Sequence, residues 1–379
     1  MSGPLVPRPA RETVPGAPPA TAPGTVPASV PAGAPATVSA TATATATSSA
    51  AVTAVVTRAA PEAIPLGGAD APVLAIDIGG TKLAAAVVEP GGRIAVYDRV
   101  PTPNTLSMDA EGLWRTLAAL LDKLLAEAGE PELAGVGVGC GGPMTWPDAH
   151  VSPLNIPAWR GFPLRDRLCE TYPGLPVRVH NDAICLAIGE HWRGAGRGRA
   201  NMLGMVVSTG VGGGLILNDR LVDGASGNAG HIGHIIVDPD GPPCGCGGHG
   251  CLEAVARGPG LVNWAREQGW PGTTGVALAD DARRGHPVAQ AAMRRAGRAL
   301  GLAIASATHL CDLEVVSIGG GISQAGALLF DPLEETLRAH ARMDYARRVR
   351  VVPAALGQTA GLVGAAALVF EATRYWSAD

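Results

Sequence analysis

The sequence has few charged residues and no excess of positive charge. Charged residues make up 16% of the 379 residues, and the formal net charge is -4. Proteins that bind nucleic acids or anionic membranes by electrostatics usually carry a basic patch or tail. The composition therefore gives no support for a nucleic-acid or membrane partner. The 47% of hydrophobic residues is typical of a globular protein large enough for two domains.

Aromatic residues are missing from the first 71 positions, which hold 12 of the 32 prolines. From position 36 to 51 this stretch alternates alanine with threonine and other small residues. It offers no large apolar face, so it cannot bury enough apolar surface to offset the entropy lost on ordering. We predict a disordered Pro/Ala/Thr-rich tail over residues 1–71.

Long apolar runs are also missing near the start of the sequence. A signal peptide combines a basic start with a compact apolar run, but residues 1–19 are interrupted by prolines and contain Glu12. The apolar stretch at 50–56 is far too short to span a bilayer. We therefore expect a cytoplasmic protein.

The seven cysteines are an odd number, so they cannot all pair into disulfides. Cys244, Cys246 and Cys251 lie within eight residues of sequence, a clustering that indicates a metal site in a cytoplasmic protein. With His234, ten residues earlier, they offer the closed tetrahedral ligand set of a structural zinc ion. His249, inside the cluster, is a competing ligand that the spacing does not exclude.

Strand and helix patterns alternate along the first half of the ordered region, which predicts an α/β fold with a mixed sheet. An apolar run at 73–78 is followed by strand patterns at 83–88 and 93–98, and the turn residues at 90–92 predict a hairpin. The further predicted elements are a helix over 113–128, strands at 133–139 and 177–180, and a helix from 183 to about 192.

The second half shows strands, glycine-rich turns and two long helices. The predicted elements are strands at 202–208, near 215–217 and at 314–318, and helices at 287–310 and 361–375. We place a domain boundary directly after Asp182. This gives a small domain of residues 72–182 and a large domain of residues 183–360, with the closing helix packing back on the small domain.

Three glycine-rich turns directly follow predicted strands, at residues 77–82, 208–214 and 317–323. Glycine allows backbone N–H groups to approach phosphate oxygens closely. Each turn alone is equally consistent with an ordinary tight turn, and none has the Gly-Lys-Ser/Thr ending of a P-loop. The arrangement of the three turns is the more specific signal, since the first two resemble the phosphate-binding hairpins of actin-like ATPases and the third their adenosine loop.

Four motifs resemble those of the ROK family, which contains bacterial sugar kinases and related repressors. They are the first glycine turn, the His-Asn-Asp-Ala stretch at 180–183, the Gly-Asn-Ala-Gly-His-Ile-Gly-His stretch at 227–234, and the cysteine cluster ending at Glu253. The resemblance covers the chain from about residue 73 to its end. It implies a two-domain actin-like ATPase fold, related to ribonuclease H, with a structural zinc loop held by His234 and the three cysteines.

The resemblance also implies ATP and Mg²⁺ as cofactors and a role for several residues. Asp182 would take the proton from the acceptor hydroxyl, although an aspartate before a helix is also a common N-cap. Asp77 would hold Mg²⁺ through water, and Lys82 is either near the phosphates or a solvated hairpin charge. The implied nucleotide contacts are Asp77, Gly79, Gly80, Thr81, Lys82, Thr209, Gly210, Gly319, Gly320 and Gly321.

The implied sugar-binding residues are Asn155, Asn181, Asp182, His231, His234 and Glu253, with the backbone of Gly141 and Gly142. Asn155 has an alternative role as a turn residue, and Glu253 as a cap of a helix that starts near residue 252. His231 stands where the family usually has Glu, and Ile184 where it often has Asn. Because an imidazole replaces an obligate acceptor, the pattern of ring hydroxyls that this pocket recognises stays open.

The leading function is therefore an ATP-dependent, glucokinase-like hexose kinase. The family resemblance alone implies a homo-oligomer, either a dimer or a tetramer. An amino sugar such as N-acetylmannosamine, or a C7 cyclitol, is the alternative acceptor. A sugar-sensing repressor would need an N-terminal helix-turn-helix, which the Pro-rich first 71 residues do not predict. A zinc-organised interaction module without catalysis would leave the glycine turns unexplained.

Overall fold

A computed structural model describes residues 70–103 and 108–377 of the chain. The predicted tail lies outside these residues except for its last two positions, so its disorder stays a prediction. In the part of the chain that the structure describes, no helix is long and apolar enough to cross a membrane.

The predicted α/β fold is confirmed. The strands are β1 Val73–Ile78, β2 Lys82–Val88, β3 Ile94–Pro101, β4 Gly135–Cys140, β5 His150–Val151, β6 Phe162–Pro163, β7 Val177–Asn181, β8 Met202–Val207, β9 Val211–Leu217, β10 Arg220–Leu221, β11 Val315–Gly319 and β12 Arg350–Pro353. The α-helices are α1 Ala110–Glu127, α2 Leu164–Thr171, α3 Asp182–Arg193, α4 Leu252–Ala256, α5 Gly258–Glu267, α6 Gly275–Arg283, α7 Pro287–Cys311, α8 Ala327–His340, α9 Ala360–Phe370 and α10 Ala372–Tyr375.

The first sheet joins an antiparallel meander to two parallel strands, in the spatial order β3-β2-β1-β4-β7. The meander is β1, β2 and β3, as predicted, while β4 runs parallel to both β1 and β7. In register, Asp77 lies beside Gly139, and Gly139 lies beside His180. The carboxyl ends of β1, β4 and β7 therefore meet at one edge of the sheet, where Asp77 and Asp182 are placed.

The second sheet repeats this topology with the strand order β10-β9-β8-β11-β12. Its hairpin β8–β9 is antiparallel, and β11 runs parallel to β8 and β12. The β1–β2 turn and the β8–β9 turn therefore occupy equivalent places in two sheets of the same design. The first two glycine turns are the tips of these two hairpins.

Two helices, α3 and α9, cross each other between the sheets. Their close approach depends on glycines, because a Cβ added at Gly364 would lie 1.7 Å from the carbonyl oxygen of Cys185. One added at Gly189 would lie 2.2 Å from the carbonyl oxygen of Ala360. Larger side chains would force the helices apart, so this crossing fixes the start of α3, where Asp182 lies, and the start of α9, near Asp77.

Some elements differ from the predictions or were not predicted. The closing helix is divided at Glu371, whose φ of -117° and ψ of 39° leave the helical region. The division lets Tyr375 turn inward, where its hydroxyl lies 2.8 Å from His191 Nδ1. Helix α8 was missed because Pro332 in its interior is a helix-breaking signal. Helices α5 and α6 and the short β5–β6 pair were also not predicted.

Candidate active site

The first glycine turn connects β1 to β2 and lies against a segment from further along the chain. The Gly79 N–H donates to the carbonyl of Lys82 at 3.0 Å, which closes the turn. A Cβ added at Gly80 would come within 2.5 Å of Asn155 Cβ. The missing side chain at Gly80 therefore allows Asn155 to sit beside the turn, and 75 residues of sequence separate these neighbours.

Asp77 and Lys82 flank this turn and interact with each other. Lys82 Nζ lies 3.6 Å from Asp77 Oδ2, and both side chains are largely buried. Burial raises the pKa of Asp77, and the neighbouring Lys82 ammonium opposes that rise. The carboxylate also faces the first turn of α9, since its Cγ would lie 3.5 Å from a Cβ added at Gly361.

The second glycine turn, residues 208–210, is held by a carboxylate from α4. Ser208 N–H donates to the Gly210 carbonyl at 2.8 Å, and Val211 N–H donates to Glu253 Oε2 at 2.9 Å. Glu253 thus supports this turn and does not cap its own helix. Its second oxygen has no hydrogen-bond partner among the residues that the structure describes. The glycines at 212–214 lie within β9, where Gly212 and Gly214 make room for α3, so only the tip at Thr209 and Gly210 fits the predicted phosphate contact.

The third glycine turn, residues 319–321, follows β11 and lies against the second turn. Gly320 has a φ of +95°, and a Cβ there would come within 2.4 Å of the Val207 carbonyl oxygen. Gly258, the first residue of α5, donates its N–H to the Ser208 carbonyl at 2.7 Å. The structure therefore brings two of the three turns and the start of α5 together. The Gly-Pro-Gly run at 258–260 was the unused sequence signal for this helix start.

Asp182 lies at the junction of β7 and α3, between the two sheets. Its Oδ1 accepts the Ala183 N–H at 2.8 Å, and Asn181 Oδ1 accepts the same N–H at 3.0 Å. Asn181 is therefore the N-cap of α3. Asp182 Oδ2 lies about 4.0 Å from where a Cβ on Gly141 would lie. Burial, and then the charge of Asp77, raise the pKa of Asp182 to about 6. A carboxylate with that pKa can accept a proton near neutral pH.

The other predicted acceptor residues surround these turns. Asn181 Nδ2 would lie 3.4 Å from a Cβ on Gly142 and is not used by the cap. The rings of His231 and His234 are 4.8 Å apart. Burial lowers the pKa of His231, and the nearby His234 lowers it further. The negative charge of Glu253 acts in the opposite direction and raises the pKa of His231. His231, His234 and Glu253 therefore form one group.

His234, Cys244, Cys246 and Cys251 form a compact cluster whose ligand atoms all lie within 4.8 Å of one another. The sulfurs of Cys246 and Cys251 are 3.7 Å apart, far beyond the roughly 2.05 Å of a disulfide. Zinc–sulfur bonds of about 2.3 Å at tetrahedral angles place two sulfurs about 3.8 Å apart, so this donor set fits zinc. His249 lies in a short bridge opposite Pro243 and is not part of the cluster.

Two mixed sheets of one topology, with a glycine turn at each hairpin tip and carboxylates at the strand ends, define an α/β protein of the actin-like ATPase class. The sequence profile of the ROK family matches residues 73–372. The chain belongs to the ROK family.

Similar proteins include sugar kinases. A glucokinase of Streptomyces coelicolor is 36% identical over 316 residues, covering 79% of this chain and 97% of the relative. An N-acetylmannosamine kinase of Salmonella newport is 37% identical over 296 residues, covering 78% and 97%. The structure of a ROK family glucokinase from Streptomyces griseus, in complex with glucose and AMPPNP, is 37% identical with a TM-score of 0.67 and covers 78% of this chain and 98% of that one.

Proposed function

We propose that the protein is an ATP-dependent sugar kinase that transfers the γ-phosphate to a hydroxyl of a hexose, as a glucokinase does. The observation that carries this proposal is the buried Asp182 carboxylate at the junction of β7 and α3, whose pKa is raised to about 6. Phosphoryl transfer to an alcohol needs a base that accepts the hydroxyl proton. Asp182 fits that role better than the role of helix cap, which Asn181 fills.

The glycine turns supply the nucleotide side of the reaction. ATP, bound with Mg²⁺, provides the phosphoryl group, and the metal offsets the negative charge on the phosphate oxygens. Thr81 and Lys82 lie at the first turn and Thr209 and Gly210 at the second, where backbone N–H groups can hold phosphate oxygens. Asp77, beside the first turn, is placed to hold metal-bound water. The turn at Gly319, Gly320 and Gly321 takes the adenosine.

The nucleotide and acceptor residues belong to two proposed domains. We assign residues 72–182 to a small domain and 183–360 to a large one, with residues 361–375 returning to the first. Support comes from α9, since a Cβ added at Gly137 of β4 would lie 1.9 Å from the Ala365 carbonyl oxygen. Asp182 lies at the boundary itself, so a base there can reach an acceptor held by both domains.

The acceptor is held by side chains that have donors or acceptors to spare. We assign the ring hydroxyls to Asn155, the Asn181 amide and the second Glu253 oxygen. His231 and the ring nitrogen of His234 that faces away from Cys244 complete this assignment. His234 Nδ1 lies 3.7 Å from Cys244 Sγ. A zinc ion held by His234, Cys244, Cys246 and Cys251 would fix that ring and its loop, and its closed ligand set makes it structural.

The identity of the acceptor has one serious alternative. The relatives act on different sugars, as one is a glucokinase and another an N-acetylmannosamine kinase at nearly the same identity. The Glu253 charge acts on His231, and an imidazole offers a different hydrogen-bond pattern from a carboxylate. An amino sugar or a C7 cyclitol is therefore the second candidate. A repressor function is less well supported, because it would not need a base such as Asp182.

An acceptor panel tests this function. ADP release from Mg-ATP is measured with glucose, mannose, N-acetylmannosamine, fructose and a C7 cyclitol, with Asp182→Asn as the blank. The matched control is Asp344→Asn, whose side chain is 95% exposed. We expect turnover on at least one ring in the wild type and in the control and none in the blank. Sugar binding without turnover on any ring would support a sensor instead.

A further inference from the structure

His180 and Asp223 form a buried pair, and His180 lies in β7, two residues before the proposed base Asp182. His180 Nε2 lies 2.9 Å from Asp223 Oδ1, and their side chains are only 1% and 6% exposed. Neither residue belongs to the glycine turns, the acceptor group or the cysteine cluster. A buried carboxylate is costly unless hydrogen-bond donors satisfy it, so the pair needs a physical reason to exist.

The hydrogen bonds assign the protonation of His180. The backbone N–H of Asn181 donates to His180 Nδ1 at 2.8 Å. This nitrogen therefore carries no proton, and Nε2 carries the hydrogen that is donated to Asp223. A neutral imidazole thus connects the backbone of Asn181, one residue before Asp182, to a carboxylate from another part of the chain.

Asp223 holds the start of the segment that bears the acceptor histidines. Its carbonyl oxygen accepts the Ala229 N–H at 3.0 Å. Its second carboxylate oxygen accepts a hydrogen bond from the Ser377 hydroxyl. The loop 223–234, which ends with His231 and His234, is therefore tied through Asp223 to the end of β7.

Trp146 brings a third segment to the same place. Its ring lies 4.5 Å from the His180 ring and 4.8 Å from the Trp376 ring. A Cβ added at Gly227 would lie 2.8 Å from the Trp146 ring, so the loop 223–234 packs directly on this tryptophan. Trp146 belongs to the loop that follows Gly141 and Gly142 beside Asp182. This loop therefore packs on His180 through Trp146, and the loop 223–234 packs on the same tryptophan through Gly227.

We propose that His180 and Asp223 are positioning residues, which hold Asp182 at a fixed position relative to the acceptor-binding loop 223–234. This inference rests on the proposed kinase function. Neither side chain touches the reacting atoms. Their effect is transmitted through the Asn181 backbone on one side and the Ala229 backbone on the other. A misplacement of about 1 Å in a catalytic site can lower a rate by about 10²-fold, so we expect loss of the pair to lower kcat about 10–100-fold.

The first experiment compares two Asp223 variants of similar volume in the full chain. Asp223→Asn keeps an oxygen that accepts the His180 Nε2–H, whereas Asp223→Leu keeps none. We expect Asp223→Leu to lower kcat about 10–100-fold with the KM for ATP within about 2-fold, and Asp223→Asn to recover most of the loss. Tyr375→Phe is the matched control, because it removes a buried hydrogen bond to His191 outside the cleft.

A double variant separates positioning from stability. Replacing a buried polar pair by apolar residues is often neutral for folding, so His180→Phe with Asp223→Leu is expected to regain thermal stability. In the double variant the Asn181 N–H loses its His180 acceptor, so kcat is expected to stay about 10–100-fold low. A double variant with kcat within about 2-fold of an active wild type would overturn the inference alone. A wild type without sugar phosphorylation would overturn the proposed function and this inference together.

Discussion

At Asp182, burial and a neighbouring negative charge act in the same direction on one carboxyl group. Both disfavour the ionised form, so the pKa rises to about 6. The charge comes from Asp77, whose own pKa is raised by burial and held down by Lys82. Two carboxylates at the ends of two parallel strands, β1 and β7, which β4 separates, thus have different surroundings. One lies next to a lysine, and the other faces the glycine backbone of Gly141. Such a difference suits one carboxylate for metal-bound water and the other for proton transfer.

The first prediction concerns the pH dependence of kcat. Because the base must be ionised to accept a proton, activity is expected to be low at pH 5, to rise through the pKa of about 6 and to level off above about pH 7. The measurement is kcat against pH at saturating sugar and Mg-ATP, with buffers that do not chelate metal. A rate that is flat between pH 5 and 7 would mean that this carboxyl group does not control the chemical step.

At the scale of elements, the close crossing of α3 and α9 determines where the two aspartates stand. The sequence predicted most of each helix from apolar spacing, but it did not reveal the glycine-mediated contact between Gly364 and Cys185.

Strands β1, β2, β4 and β7 were predictable because apolar runs and turn residues are local signals. The contacts that build the site join positions far apart in sequence, such as Gly80 with Asn155 and Gly210 with Glu253, and no local pattern encodes them.

Gly364→Ala tests this crossing. The new Cβ would lie 1.7 Å from the Cys185 carbonyl oxygen, so α9 must shift. We expect a loss of about 3 kcal/mol in the free energy of unfolding, measured by urea denaturation, together with lower kcat. Gly275→Ala in α6 is the control, since its nearest neighbour would be 3.9 Å away. Equal stability of the two variants would show that the helices are not held this tightly.

The cysteine cluster gives a second prediction at this scale. We expect about one zinc ion per chain by metal analysis, and its removal by a chelator is expected to weaken sugar binding more than nucleotide binding, because His234 lies on the same loop. Cys246→Ser is expected to lower the zinc content, while Cys169→Ser, outside the cluster, leaves it unchanged. Zinc-free wild-type protein with full sugar affinity would contradict the assignment.

At the scale of the whole molecule, two sheets of equal topology each place a glycine turn at the tip of a hairpin. This repetition was not evident in the sequence, because the second sheet differs from the first in the long insertion between β10 and β11. That insertion carries the cysteine cluster, His231, His234 and Glu253. The first half of the chain thus supplies Asp77, the proposed base Asp182, Asn155 and Asn181, and the insertion in the second half supplies the other residues proposed to recognise the acceptor. Because His231 in this insertion departs from the usual family residue, the mechanism was easier to infer from the sequence than the substrate.

The most direct test of the central claim is the product formed from Mg-ATP and the preferred sugar, followed by phosphorus NMR, with wild-type protein and Asp182→Asn. The asparagine keeps an oxygen for the Ala183 N–H but cannot take a proton, so the fold is preserved. The wild type is expected to form sugar phosphate and ADP in equal amounts, and the variant to bind the sugar by calorimetry while its rate falls about 10²–10⁴-fold. Sugar phosphate formed by Asp182→Asn at the wild-type rate would contradict the account.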